Sequence, residues 1–394
     1  MSFQHISESI RSVGVDNVTE TLFESQYPLS HGMSYNSYLI LDTHAAILDS
    51  VEAGQGEKWL ANIEREAAGR TPDFLVVHHM EPDHSANIMS ALRRWPSLQI
   101  VASRKAIQML RDFFPDAGLE FNVREVTEGD TLALGTHSLR FTAAPMVHWP
   151  EVMVSYETHT GTLFSADAFG KFGAIQYHDD WTPEARRYYI NIVGKYGNQV
   201  QQLLRKFHGI PVNSVAPLHG PILTGDAIGR AVALYDTWSS YRPETAGTLV
   251  AYASIYGGTA RAALDLADML RARDCGEIVV TDLCRCDESE AVAQAFRLSS
   301  LVLASATYDA SLFPAMHSFI HHLGLKNFRN RRVGLIENGS WAPVAGRLMR
   351  KMLEPMPGLE IAPDNVTIHS RPASADREAL NRLADFIAAG QPQL

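Results

Sequence analysis

The seven residues from His78 to His84 constrain this chain more than any others. They read His-His-Met-Glu-Pro-Asp-His and follow Phe74-Leu75-Val76-Val77, an apolar run opened by Pro72 and Asp73. A short apolar run bounded in this way predicts a buried strand over 74–79. The strand would deliver imidazoles and carboxylates into a loop at its carboxyl end, stiffened by Pro82. If the loop is extended, positions 79, 81 and 83 share a side, and three ligand-type groups converge there. Burying His79, Glu81, Asp83 and His84 so close together is costly without a cation. The segment therefore points to a metal site, with a solvated acidic turn as the alternative.

A chain of 394 residues is long enough for two domains, each with its own core. A formal charge of −10 argues against a general nucleic-acid or anionic-membrane binder. No apolar stretch has the length of a membrane span, and the amino terminus lacks the apolar core of a signal peptide. A cytoplasmic location is expected. The three cysteines, Cys275, Cys284 and Cys286, contain no C-x-x-C pair and read as ordinary thiols.

Apolar runs predict strands over 37–41, 45–50, 99–102, 139–146, 162–166 and 214–218, with helices over 56–67 and 87–94 and a long polar-apolar segment over 183–207. The stretch Tyr241 to Gly247 breaks both periodicities and is the best linker. Beyond it the rhythm changes to strand 249–254, helix 259–273, strand 277–283, helix 287–297, strand 301–305, helix 312–323, strand 333–337, helix 344–353 and helix 375–389. Asp287 is a natural N-cap there, with Glu290 three residues on. Such alternation implies right-handed βαβ units and a doubly wound parallel sheet. The expected division is 1–246 and 247–394.

Three further ligand-type residues, His148, Asp167 and His219, each end or follow an apolar strand. Loops at one edge of a sheet face one cleft, so these residues can join the first four. The order H-x-E-x-D-H, then His, Asp and His, resembles the flavodiiron proteins at all seven positions. Hydrolases of the same metallo-β-lactamase-like fold generally carry a histidine where this chain has Glu81. A carboxylate there makes the site harder and more anionic, which favours iron over zinc. The resemblance implies that His79, Glu81 and His148 hold one iron, that Asp83, His84 and His219 hold the other, and that Asp167 bridges them. His78 fits no ligand position and reads as a supporting or solvated residue, while His137 and His159 are expected on the surface. His31 lies in a segment from which a histidine lines the iron pocket in some members, so a proton-donating or substrate-positioning role is expected of it.

Ser254-Ile255-Tyr256-Gly257-Gly258-Thr259 joins the first strand of the second domain to its helix and resembles the flavodoxin phosphate loop. Hydroxyls, close backbone approach at glycine and a helix amino terminus all suit the phosphate of FMN. Two later loops fall where that fold holds the flavin ring, one with Ser305, Thr307 and Tyr308 and one with Asn338, Gly339 and Trp341. Ala304, Ala306 and the Ala342-Pro343 pair depart from the usual family residues in those loops.

The resemblance covers essentially the whole chain. It implies an αββα metallo-β-lactamase-like domain with a diiron site, followed by a flavodoxin-like domain with FMN. The implied activity is reduction of dioxygen to water, nitric oxide to nitrous oxide, or both. Four-electron reduction of dioxygen exceeds what two Fe(II)/Fe(III) couples supply, so the flavin is needed as well. With three cysteines the chain has no built-in rubredoxin, and a separate donor such as rubredoxin or a reduced flavoprotein is expected. A head-to-tail homodimer or a dimer of dimers would bring each flavin to the partner's irons. The rival readings are a metallo-hydrolase with an appended flavodoxin, disfavoured by Glu81, and an electron-transfer flavoprotein whose metal domain is structural.

Overall fold

Strands Tyr38–Leu41, Ala45–Leu48, Phe74–Val77 and Gln99–Ala102 form the middle of a six-stranded sheet flanked by Ile10–Ser12 and Val123–Glu125. The structure, a computed structural model, describes residues 5–115, 121–177 and 180–390. Along these strands the side chains alternate between two cores, as a pleat requires. Leu39, Ile47, Leu75, Val77 and Ile100 pack against Trp59, Ile63, Ile88 and Ala106 of the covering helices. Tyr38, Ile40, Ala46, Leu48 and Val76 turn the other way, onto Leu139, Phe141, Met153 and Phe164 of a second six-stranded sheet. That sheet runs Thr131–Ala133, Ser138–Ala143, Met153–Glu157, Thr162–Phe164, Ser214–Ala216 and Leu223–Thr224. Two sheets face to face with helices outside give the expected αββα architecture.

The interior strands agree with the apolar runs to within a few residues, except Met153–Glu157, which the sequence reading missed. The short N-terminal strands Val15–Asn17, Leu22–Phe23, Tyr27–Pro28 and Met33–Tyr35 were not legible, because two or three residues carry no period. Two helices were missed as well. One is Arg104–Phe113, whose start is set by Ser103 accepting a bond from Ala106 N, and the other is Asp226–Ser239. The segment over 183–207 is helical but interrupted, with a π-helical turn at Tyr189–Val193 and a tight turn at Gly194–Tyr196.

The chain divides into compact units at Met1–Asp236 and Thr237–Leu394. The linker segment belongs to the second unit, because buried Arg331 binds the Tyr241 carbonyl together with those of Phe296 and Leu298. The second unit is a parallel sheet in the order Glu277–Asp282, Thr245–Ala253, Leu298–Tyr308, Arg332–Asn338, with Glu360–Ile361 and Val366–Ile368 at the far edge. This is the flavodoxin strand order. Helices Gly258–Arg271 and Arg377–Ala388 cover one face, with Ala262, Leu266, Leu383 and Ile387 on Val250, Val302 and Ile336. Asp287 caps its helix as expected, accepting a bond from Ser289 N at 2.8 Å. The edge strands Glu360–Ile361 and Val366–Ile368 escaped the sequence reading, being two and three residues long.

Candidate metal centre and flavin loops

Glu81 caps a single helical turn, Pro82–Ser85, with Pro82 at its first position. Proline is preorganised for that position, so the chain turns instead of remaining extended. The expected convergence of positions 79, 81 and 83 on one side is corrected by this turn. Asp83 is carried away from His79 and Glu81 and sits with His84. The ligand-type groups accordingly form two clusters: His79, Glu81, His148 and Asp167, and then Asp83, His84 and His219.

In the first cluster, Glu81 Oε2 lies 3.2 Å from His79 Nε2 and 2.9 Å from His148 Nε2. Asp167 Oδ2 reaches the same two nitrogens at 3.5 and 3.0 Å. In the second, His84 Nε2 and His219 Nε2 face one another at 3.0 Å, each 3.3 Å from Asp83 Oδ2. Asp167 Oδ1 turns to that pair, at 3.2 and 3.7 Å. One carboxylate thus addresses both clusters through different oxygens, as a bridging ligand must. The parallel pairing of Thr162–Phe164 with Ser214–Ala216 sets this up, because Asp167 and His219 follow neighbouring strand ends.

The donor set fits a pair of cations. Both oxygens of Asp83 and Oδ1 of Asp167 are buried with no hydrogen-bond partner among the described residues. Buried acceptors without donors are expensive, and two imidazole nitrogens aimed at one point gain from a shared cation. Mixed imidazole and carboxylate donors suit a transition metal such as iron. The outer nitrogens of His79 and His219 are held as metal-binding imidazoles usually are. His79 Nδ1 is 2.8 Å from Glu151 Oε1, which also accepts Met80 N, and His219 Nδ1 is 2.8 Å from the Ser34 carbonyl. Each contact turns Nε2 inward.

Burial works against charge on Glu81, Asp167 and His148, yet the two carboxylates stay ionised. Hydrogen bonds from His148 and His79 hold Glu81 far below the usual carboxylate range, and the histidine charges do the same for Asp167. In return Asp167 and Glu81 raise His148 to about 9. Glu24 behaves differently. Burial and the neighbouring Glu81 charge push it up to about 7.

His78 is not solvated. It is buried between Asp49, at 2.6 Å from Nδ1, and Ser155, at 2.8 Å from Nε2. Asp49 also accepts the backbone N–H of His78 and His79, which anchors the start of the ligand loop. His137 is buried rather than on the surface, between Ser9 and Glu157, whereas His159 is exposed as expected. His31 is exposed, stacks on Tyr177 at 4.5 Å and belongs to neither ligand cluster. Sequence reasoning missed Glu151, Asp49 and Ser34. Glu151 alone left a trace, as an acidic residue three positions after His148.

The residues proposed for the flavin lie at the carboxyl ends of adjacent strands of the second unit. Gly257, at φ 87°, caps the helix that starts at Gly258, and Gly257 N donates to Ser254 Oγ. A Cβ on Gly258 would meet the Ser370 carbonyl at 1.9 Å, so glycine is required there. Tyr256 is 97 % exposed and Trp341 83 %, with Ile255 and Tyr308 about half as much, leaving their surfaces open to a flat ring. Thr259 and Ser305 are buried. Thr307 Oγ1 accepts Val344 N and Ala345 N at the start of a helix, and the Asn338 amide pairs with both backbone groups of Ser370. These last two side chains shape the loops, leaving Gly339 and other backbone groups to meet a ligand.

Residues 33–220 match the family model described as ODP family beta lactamase. A nitric oxide reductase from Moorella thermoacetica is 27 % identical over 369 residues, covering 91 % of each chain. The rubredoxin oxygen:oxidoreductase of Desulfovibrio gigas superposes with a TM-score of 0.91 at 24 % identity, over 98 % of both chains. The flavodiiron protein of Giardia intestinalis also gives 0.91, at 23 % identity over 99 % of this chain and 97 % of that one. At such identities the two structures speak for the fold, an αββα unit followed by a flavodoxin-like one. The end-to-end relative and the order of the ligand-type residues agree with that likeness, and the chain is similar over nearly its whole length to proteins of the flavodiiron kind.

Proposed function

We propose that this protein is a flavodiiron oxidoreductase that reduces dioxygen to water, nitric oxide to nitrous oxide, or both. The observation that carries this reading is Asp167, whose two oxygens address two separate donor clusters. His79, Glu81 and His148 would hold one iron and Asp83, His84 and His219 the other. Two ferrous ions would supply electrons and binding positions for a diatomic gas, and FMN on the loops around Ser254–Thr259, Ser305–Tyr308 and Asn338–Trp341 would replenish those electrons.

The chain's own residues prepare that centre. Glu151 and Ser34 fix the imidazole orientations, and Asp49 anchors the loop. Phe23, Tyr35 and Tyr188 pack around His219 at 5.5 to 5.6 Å and keep bulk water from it. The buried Tyr188 hydroxyl has no hydrogen-bond partner among the described residues and is a donor for a small polar ligand.

No described helix is long and apolar enough to cross a membrane, and we assign the protein to the cytoplasm. Its electrons would come from a rubredoxin or a reduced flavoprotein. A head-to-tail homodimer, or a dimer of dimers, would pair each flavin with the partner's irons. Mixing His84→Ala subunits with Thr259→Asp subunits tests that pairing: heterodimers should regain activity, and heterodimers that stay inactive reject it.

The deciding experiment supplies iron- and FMN-loaded protein with a reductase and rubredoxin and follows both gases electrochemically. Rapid loss of at least one gas is expected. If neither is consumed while the flavin is demonstrably reduced, the electron-transfer reading replaces this one.

A further inference from the structure

His219 sits in a short loop, Pro217 to Gly220, that follows the strand Ser214–Ala216. Gly220 holds left-handed backbone at φ 82°, and a Cβ on it would meet Lys171 Cγ at 2.7 Å. This loop is gripped by a segment 181 to 186 positions earlier in the chain. The buried Asn36 side chain donates from Nδ2 to the carbonyls of Pro217, at 2.8 Å, and Gly220, at 2.7 Å. Asn36 N donates to the Leu218 carbonyl at 2.8 Å. The Ser34 carbonyl faces His219 Nδ1 at 2.8 Å, and the Ser34 hydroxyl oxygen accepts Gly220 N at 2.7 Å.

Both partners of the Asn36 amide are carbonyl oxygens, so chemistry fixes which end of the amide faces them. Its oxygen turned that way would repel both. Ser34 and Asn36 then divide the work. Ser34 orients the imidazole ring, while Asn36 holds the backbone that carries it, two residues before His219 and one residue after.

The result is a donor set in place before any cation arrives. His84 and His219 bring their Nε2 atoms to 3.0 Å, each 3.3 Å from Asp83 Oδ2. A donor fixed in advance loses little freedom on binding, and a small displacement of one donor weakens the whole set. We infer that Asn36 is a positioning residue for the ion held by Asp83, His84 and His219, acting on His219 through the Pro217 and Gly220 carbonyls. This deepens the diiron reading and rests on it.

The test loads wild-type protein and Asn36→Asp anaerobically with ferrous iron. Asn36→Asp keeps the shape of the side chain but sets an acceptor against the two carbonyls. Iron release to a chelator and the Mössbauer spectrum of the protein left with one iron are the readouts. His219→Ala and His148→Ala serve as references for loss of one ion or the other. Wild-type protein should hold two irons per chain. In Asn36→Asp one of the two should leave roughly tenfold faster, in line with loss of a supporting group at a metal site. The iron that stays should give the spectrum of His219→Ala. Wild-type release rates, equal acceleration of both irons, or a spectrum matching His148→Ala would each overturn the inference while leaving the diiron reading intact. If Asn36→Asp does not fold, Ser34→Ala, which loses only the acceptor of Gly220 N, decides by the same criteria. Fewer than two irons in wild-type protein would overturn both readings.

Discussion

The two sites of this chain are built on opposite physical plans. In the first unit, charged donors from four segments are packed until some of their polar atoms have no hydrogen-bond partner. In the second, loops expose Tyr256 and Trp341 almost completely, and the hydroxyl and amide groups of Thr307 and Asn338 are already spent on backbone. A buried charge cluster costs several kcal/mol unless it is compensated. Its geometry must be imposed by the rest of the fold, and a cation repays that cost. Exposed aromatic loops carry little such strain, so their ligand gains affinity mainly by covering apolar surface. The first site should be rigid and intolerant of change, and the second open and separable from it.

The largest expected effect breaks the centre alone. Asp167→Ala removes the group that faces both clusters, and gas reduction should fall by at least about a hundredfold. Iron content should drop below one per chain, measured by metal analysis, while FMN stays bound. Simultaneous loss of flavin would show that the two sites are not separable.

The converse variant is Gly258→Val, whose side chain collides with the Ser370 carbonyl. FMN retention, measured by absorbance after gel filtration, should be lost while both irons remain. A milder probe is Glu151→Gln, which replaces the anion behind His79 by a neutral amide. Metal affinity should fall by roughly 10- to 100-fold, judged by chelator competition.

Chelation sharpens the comparison thermodynamically. At a free metal concentration of about 1,000 times Kd, binding stabilises a folded state by about 4 kcal/mol. Removing iron should therefore lower the calorimetric transition of the first unit and leave that of the second in place.

The smallest effect concerns a buried carboxylate outside both sites. Glu157 opposes its burial by accepting bonds from Thr160 and His159 and by facing His137, which holds its pKa below the usual 4.5. A carboxylate with a depressed folded pKa contributes stability above its unfolded pKa and loses it as pH falls through the folded one. Glu157→Gln should accordingly lose stability less steeply with acid below about pH 4.5, followed by denaturant melts, with iron and FMN content unchanged.

Much of the fold was legible because buried strands leave apolar runs, and the two rhythms on either side of the linker separated the units. The seven ligand-type residues were legible too, four of them as a compact motif and three as polar residues terminating apolar strands. The supporting residues were not. Asp49, Ser34 and Glu151 come from three different segments, and nothing local distinguishes them from any other polar residue near a strand end. The same holds for His78 and His137, whose burial depends on partners 29 and 128 positions away.

The sequence by itself determined the chemical types available at the centre, Glu81 among them, and the glycines of the loop that opens the first helix of the second unit. These are properties of single residues and short spacings, which need no partner to be read. Tertiary structure alone decided how the donors divide between the two clusters and which side chains hold the imidazoles. Those outcomes depend on the chain turn at Pro82 and on contacts between distant segments, where the direction of a side chain is set by packing and not by its neighbours in sequence.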